Sequence, residues 1–330
     1  MSESSLNIPL EVLDAYYPSG TANQAMIPGG EVNLTFLVTN AESKKTILQR
    51  LSPVYDYIVG EDYEIVAAHL KDRGWEMATA LKTRDGLAYL TDSSGHLWRS
   101  SSYIESEPGR EMEGNLEAGT ALGGLLGTLH RDLMSLDYQP KFSRPAAHDT
   151  NHQADRLEVL LPKIPDSSNR ELAAEMITLS REGEIASEPS QVIHADPRIG
   201  NTLFRDGKPF TFIDWDGYKR ANPLVDVGDM LQSTAGEVIT KGAGGCSVEQ
   251  LYPMLAAYYA EAKPKTDRQT FMEQALAAGR IIALNLGMRH LIDSVEDQYF
   301  VWDNDRFRSR LEFNLFCAQR QQQVHRALTL

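Results

Sequence analysis

Residues able to do chemistry crowd into one short stretch of this chain. Val192 to Phe204 reads Val-Ile-His-Ala-Asp-Pro-Arg-Ile-Gly-Asn-Thr-Leu-Phe, and Phe212-Ile213-Asp214-Trp215-Asp216 follows shortly after. Asp196 on a loop is free to accept a hydroxyl proton. Asn201 and Asp214 offer a carboxamide and a carboxylate oxygen, a donor set that suits Mg²⁺, which usually takes its remaining ligands from water and phosphates. Together these are the groups needed to move a phosphoryl group from ATP-Mg²⁺ to an alcohol, a reaction that rests mostly on positioning and charge neutralisation.

Local structure must bring them together. Gln191 to Ile193 reads as the end of a strand, and Asp196-Pro197 is a turn dipeptide, which puts Asp196 on a loop. Residues 201–205 and 208–213 are β-rich runs separated by Asp206-Gly207, a strong hairpin signal. Pairing back from that turn sets Arg205 opposite Lys208 and Asn201 opposite Phe212, with Asp214 at the open end beside Asn201. A hairpin with acidic residues at solvated turns is the plain alternative. The joint occurrence of His-x-Asp-x₄-Asn, the hairpin and Ile-Asp-Trp outweighs it. His194 is expected to pack and hydrogen-bond the loop. Asp226 and Asp229, at a helix start, are expected to cap or buttress it. Asp216 reads as a turn carboxylate before Gly217.

His194-x-Asp196-Pro-x-x-x-Asn201 with Ile213-Asp214-Trp215 resembles the aminoglycoside phosphotransferase and choline kinase superfamily of small-molecule kinases. Residues 30–38 and 46–51 look like the amino lobe of N-acetylhexosamine 1-kinases. Leu286 to Arg289, Asp293 and Tyr299-Phe300 look like their late segment, with weaker matches at Trp98-Arg99 and His148-Asp149. The similarity spans about residues 25–320. It implies an α+β, protein-kinase-like fold of two lobes, with a β-rich amino lobe carrying one helix and a mostly helical carboxyl lobe. It also implies Mg²⁺ as cofactor and ATP as donor, with Asp196 as base, Arg198 on the phosphoryl group, and Asn201 and Asp214 on the metal. Nucleotide contacts would come from Gly30, Arg50 and the hinge at Tyr103 to Glu105, and acceptor contacts from Arg289 and Tyr299. The family's Gly is Ala195 here, a cost of roughly 1 kcal/mol if the position needs positive φ. The usual phosphate-binding Lys of kinases is absent, and Gln49-Arg50 stands in its place.

At 330 residues the chain is long enough for two cores, with a division expected at 1–105 and 106–330. Lys plus Arg total 32 against 46 Asp plus Glu, a net charge of −14 that argues against nucleic acid and anionic membrane as partners. Two cysteines are too few for a disulfide framework, no secretory leader or long apolar run is evident, and a soluble cytoplasmic protein is expected. The expected partners are a nucleotide and a small-molecule acceptor. First choice for the acceptor is a sugar or amino sugar. The alternatives are another small alcohol (an amino alcohol, homoserine or an aminoglycoside) or, in a different class, a non-catalytic pseudokinase.

The remaining chain reads as strands at 32–38 and 45–51, a helix over 61–73, and a hairpin around Ser93-Ser94-Gly95. The charged segment 105–114 lacks an apolar period. Helical period then marks 122–133, 154–161, 169–181, 248–262, 267–294 and 307–327, with a Gly-rich break at 242–245.

Overall fold

The computed structural model describes residues 7–27, 33–142, 144–164, 166–241, 245–302 and 304–329. Gly30 and the preceding Gly29 lie outside the described residues, as does most of the Gly-rich break after Lys241. Contacts divide the chain into two compact units. One comprises Met1–Ala68 and Glu76–Glu105, the other His69–Trp75 and Ser106–Leu330.

The first unit is an antiparallel sheet with flanking helices. It runs α1 (Leu10–Tyr16), β1 (Thr21–Ile27), β2 (Leu34–Asn40), β3 (Lys45–Arg50), α2 (Ile58–Lys71), β4 (Ala80–Leu81), β5 (Tyr89–Thr91) and β6 (Leu97–Ser102). Strand order is β1-β2-β3-β6-β4, with β5 also paired to β6. Alternation decides which side chains meet α1: Phe36, Val38, Leu48 and Trp98 pack with Val12, Tyr16 and Tyr17. On that same face the Tyr17 hydroxyl bonds the Thr46 and Ser100 hydroxyls at 2.8 and 3.1 Å. Asp92 fixes the β5–β6 turn by accepting from the backbone N–H groups of Ser94 and His96, both at 2.9 Å, and from the Trp98 indole at 2.8 Å. The single helix expected for this region is joined by α1, whose seven residues are too few for a helical period to stand out.

The second unit is mostly helical. β7 (Glu107–Pro108) precedes α3 (Leu116–Leu133), α4 (Thr150–Leu160) and α5 (Ser167–Ser180). Four short strands follow: β8 (Gln191–Ile193), β9 (Thr202–Arg205), β10 (Lys208–Phe212) and β11 (Lys219–Ala221). Then come α6 (Leu224–Lys241), α7 (Val248–Ala262), α8 (Arg268–Glu296) and α9 (Arg310–Ala327). Leu157, Met176, Leu284, Met288, Leu291 and Ala318 form a core joining α4, α5, α8 and α9. Helices α3 and α7 approach unusually closely because α3 is glycine-lined where they touch. A Cβ on Gly123 would stand 2.2 Å from the Met254 carbonyl oxygen, and one on Gly127 2.6 Å from that of Tyr258. That approach sets Tyr258 against His130, one helical turn on from Gly127 along α3.

The hairpin forms around Asp206-Gly207, but its register departs from the expected one. Arg205 does pair with Lys208 and Phe204 with Pro209, after which the register shifts, so that Leu203 faces Thr211 and Thr202, not Asn201, faces Phe212. The extra residue is Phe210. Pro209 has no N–H to give the ladder, which suits it to a bulge. Asn201 instead ends a 3-10 turn (Ile199–Asn201), and its carbonyl accepts from the Ile213 N–H at 2.8 Å.

Candidate functional site

Asp196, Arg198 and Asn201 meet on the loop between β8 and β9. The Asn201 amide nitrogen donates to Asp196 Oδ2 at 2.7 Å and to the Asp196 carbonyl at 3.1 Å. Arg198 Nε lies 3.5 Å from Asp196 Oδ1. Asn201 is buried while the Asp196 side chain keeps 43 % of its exposure, so the amide is the fixed partner and the carboxylate the accessible one. With its nitrogen spent on Asp196, the Asn201 amide presents its oxygen elsewhere. The bond from Ile213 to Asn201 brings Asp214 alongside, in a left-handed backbone conformation (φ 62°, ψ 57°) with an exposed side chain. Asp216 lies in the 3-10 turn Trp215–Gly217, as a turn carboxylate before Gly217 should, and it is buried there.

A buried network holds this loop. The backbone N–H groups of His194 and Ala195 donate to the two carboxylate oxygens of Asp226 at 2.8 and 2.7 Å. Ala195 can aim its N–H there because its φ is 67°, the left-handed region that costs a residue with a Cβ. Asp226 is fully buried and also bonds His130 Nε2 at 3.0 Å, while His130 Nδ1 bonds the Tyr258 hydroxyl at 2.7 Å. Burial pushes the Asp226 carboxyl up, but the hydrogen bond and charge of His130 and the His194 N–H outweigh it and hold it below the usual carboxylate value.

His194 is fully buried against Phe212 and Trp215, with ring centroids 5.4 and 4.5 Å away. The Asp196 backbone N–H donates to its Nδ1 at 3.2 Å, so Nε2 carries the proton and donates to the Ile213 carbonyl at 3.1 Å. Burial drives its pKa down to about 4, which keeps the ring neutral. His194 thus ties both strands of the site together, as its expected packing role requires.

A second cluster surrounds Tyr299. Arg144 and Arg289 each donate to the Tyr299 hydroxyl, at 2.5 and 3.0 Å, and the Arg289 guanidinium also lies over the Phe300 ring at 5.6 Å. His148 bonds Asp229 at 3.1 Å and receives a bond from Lys219 Nζ at 3.0 Å. The sequence reading named Arg289, Tyr299, His148 and Asp229 but missed Arg144 and Lys219. A lone Arg beside a proline and a Lys opening a three-residue strand carry no pattern to find.

In the first unit, Arg50 and Gln49 take opposite faces of β3. Arg50 pairs with Trp98 on the face that carries Leu48 and α1. Gln49 accepts from Arg99 Nε at 2.9 Å and donates to Thr35 at 3.2 Å on the other face. Lys45 pairs with Glu105 at 3.1 Å and sits 5.1 Å from the Tyr103 ring centroid. Among the described residues no three His, Cys, Asp or Glu side chains cluster at metal-binding distance, and no helix is long and apolar enough to cross a membrane.

Residues 24–268 match the sequence model of APH, the phosphotransferase enzyme family. No curated protein matches the chain at a significant level. Among solved structures, an amicoumacin kinase in complex with AMP-PNP, Ca²⁺ and Ami is 16% identical with a TM-score of 0.62, covering 99% of this chain and 96% of its own. A microcompartment-associated aminopropanol kinase is 17% identical with a TM-score of 0.63, covering 95% and 97%. Spectinomycin phosphotransferase, solved with ADP and spectinomycin, is 13% identical with a TM-score of 0.60, covering 98% and 99%. These likenesses establish a protein-kinase-like fold.

Proposed function

The chain belongs to the APH phosphotransferase enzyme family and is a small-molecule kinase, and on that premise we propose how its residues divide the work. ATP is the donor, and the acceptor is a sugar or amino sugar bearing the hydroxyl to be phosphorylated. Asp196 orients that hydroxyl and takes its proton as the bond to phosphorus forms. The Asn201 amide, donating to Asp196 Oδ2 at 2.7 Å, fixes the carboxylate's rotamer and is the observation that carries this assignment. Arg198, beside the other carboxylate oxygen, neutralises charge on the transferring group.

The donor set suits magnesium. The Asn201 amide, oriented by Asp196 and anchored through Ile213, leaves its oxygen available, and Asp214 adds an exposed carboxylate next to it. Asn201 and Asp214 would hold the ion, and its chemistry there would be to offset the negative charge of the donor's phosphates.

Residues 1–105 would form the lobe supplying the nucleotide contacts, and residues 106–330 the lobe holding the catalytic loop and acceptor. Gly30, Arg50 and the backbone near Tyr103 and Glu105 are its nucleotide candidates. To these we add Arg99, since Gln49 holds it on the face of the sheet not taken by α1.

The decisive test measures ADP release with a panel of sugars, amino sugars and amino alcohols for the wild type and Asp196→Asn. Turnover should fall about 10²- to 10⁴-fold in the variant with nucleotide affinity kept. A loss smaller than threefold would remove Asp196 as the base. Amino alcohols turning over in preference to every sugar would replace the acceptor class.

A further inference from the structure

The cluster around Tyr299 is unusual in sign. In a chain of net charge −14, Arg144 and Arg289 meet at the Tyr299 hydroxyl, while Lys219 bonds His148, a ring that also feels the charge of Arg289. Two guanidinium groups share one neutral phenol oxygen, although like charges at this range repel. Neither Arg289 nor Lys219 makes an ion pair within 4.0 Å among the described residues, and the Lys219 ammonium spends one of its three donors, on His148.

The nearby carboxylates are already engaged. Asp229 takes the His148 ring N–H, Asp149 caps α4 through the His152 N–H at 2.9 Å, and Asp226 holds the catalytic loop. Asp293 is occupied by the backbone N–H groups of Gln298, Tyr299 and Phe300 at 2.9, 2.6 and 3.1 Å. Burial lowers the pKa of His148; Asp229 opposes this, and the positive charges of Lys219 and Arg289 reinforce it, so both cations lie within electrostatic reach of one ring. The cluster also adjoins the reacting loop. Lys219 on β11 pairs with Ile193 on β8, the strand that runs into His194 and Asp196, and Asp229 lies one turn beyond Asp226 on α6.

We propose that Arg289 and Lys219, with Arg144 and the Tyr299 hydroxyl, form a subsite for an anionic group on the acceptor, a carboxylate or a phosphate. This rests on reading the region as the acceptor side of the site. It narrows the acceptor to a molecule with a hydroxyl for Asp196 and a negative charge for the cluster. Cationic acceptors, such as amino alcohols and aminoglycosides, are disfavoured by the same charges.

The test has two arms. In the first, protein saturated with AMP-PNP and Mg²⁺, so that the nucleotide site is filled, is melted with inorganic phosphate, acetate or chloride at equal ionic strength. Phosphate or acetate should raise Tm over chloride in the wild type, and the larger shift identifies the anion. The gain should vanish in Arg289→Gln and Lys219→Met and partly survive in Arg289→Lys. Their melts without added anion report whether each variant folds. Equal Tm in all three salts, or a gain that survives both neutral variants, overturns the subsite. In the second arm, ADP release is compared for glucose, glucuronate, glucose 6-phosphate and glucosamine. An anionic sugar should exceed glucose in kcat/KM, and Arg289→Gln should reduce that ratio about 10- to 100-fold. Glucosamine preferred over both anionic sugars would refute the subsite. Inertness of every sugar, with the anion-dependent Tm gain intact, would instead refute the sugar reading and leave the subsite standing.

Discussion

Asp226 and Asp293 are both buried carboxylates that accept backbone N–H groups from a loop, yet the loops they hold are put together differently. Asp226, on the first turn of α6, fixes His194 and Ala195, and the proposed catalytic and metal-binding residues Asp196, Arg198 and Asn201 follow within the same few positions. Asp293, near the end of α8, fixes Gln298 to Phe300, with Asn314 bonded to it at 2.9 Å. The residues proposed to bind the acceptor there come from elsewhere: Arg144 before α4 and Arg289 on α8 at the Tyr299 hydroxyl, and Lys219 on β11 at His148. A reaction shared across a family can be built on one short loop. The proposed acceptor site draws instead on elements far apart in the chain.

The largest expected effect separates the two carboxylates. Asp226→Asn puts an amide nitrogen where one backbone N–H needs an acceptor, and should cost about 3–5 kcal/mol in urea unfolding with activity lost on every acceptor. Asp293→Asn should cost about 2 kcal/mol and act mainly on acceptor KM. If both variants lost kcat equally, the two loops would not be functionally distinct.

The pH dependence of stability sharpens the same contrast. The unfolded chain protonates His194 near the ordinary histidine value of 6.5, whereas the folded ring resists until about 4. Unfolding therefore takes up a proton across that window, and stability falls as pH drops from about 6.5 towards 4. Asp226 and Asp293, both held below the usual carboxylate value, contribute stability that is present above that value and lost only at lower pH. Urea midpoints should decline through the histidine window and decline less steeply in His194→Gln. An unchanged slope would show that another group dominates.

In the first unit, Arg99→Met should raise KM for ATP about tenfold and Arg50→Met by less, because α1 covers the face of the sheet that carries Arg50; an effect confined to Arg50→Met would remove Arg99 from the nucleotide contacts. The smallest effect concerns Ala195, whose φ of 67° is relieved by Gly at the cost of one buried methyl. Ala195→Gly should stabilise by about 0.5 kcal/mol with activity retained.

Much of the catalytic loop was legible because its parts are neighbours in sequence. Asn201 follows Asp196 by five positions, and Asp206-Gly207 announces the hairpin that returns Asp214 to them. The one-residue slip at Phe210 was not legible, since a bulge leaves no periodic trace, nor was α1, too short to show a period. Helices α3 to α5 and α7 to α9 were readable as apolar stripes, while the close approach of α3 to α7 shows only once Gly123 and Gly127 meet the α7 backbone.

The sequence by itself thus determined the reaction class, through residue types at fixed short spacings that local hydrogen bonds convert into geometry. Tertiary structure alone decided what surrounds that chemistry. It brought His130 from α3 to Asp226, set Gln49 beside Arg99, joined Arg144 and Arg289 at one tyrosine hydroxyl, and placed Lys219 on His148. Those contacts depend on how helices and strands pack, and packing joins residues whose separation along the chain carries no signal of their meeting.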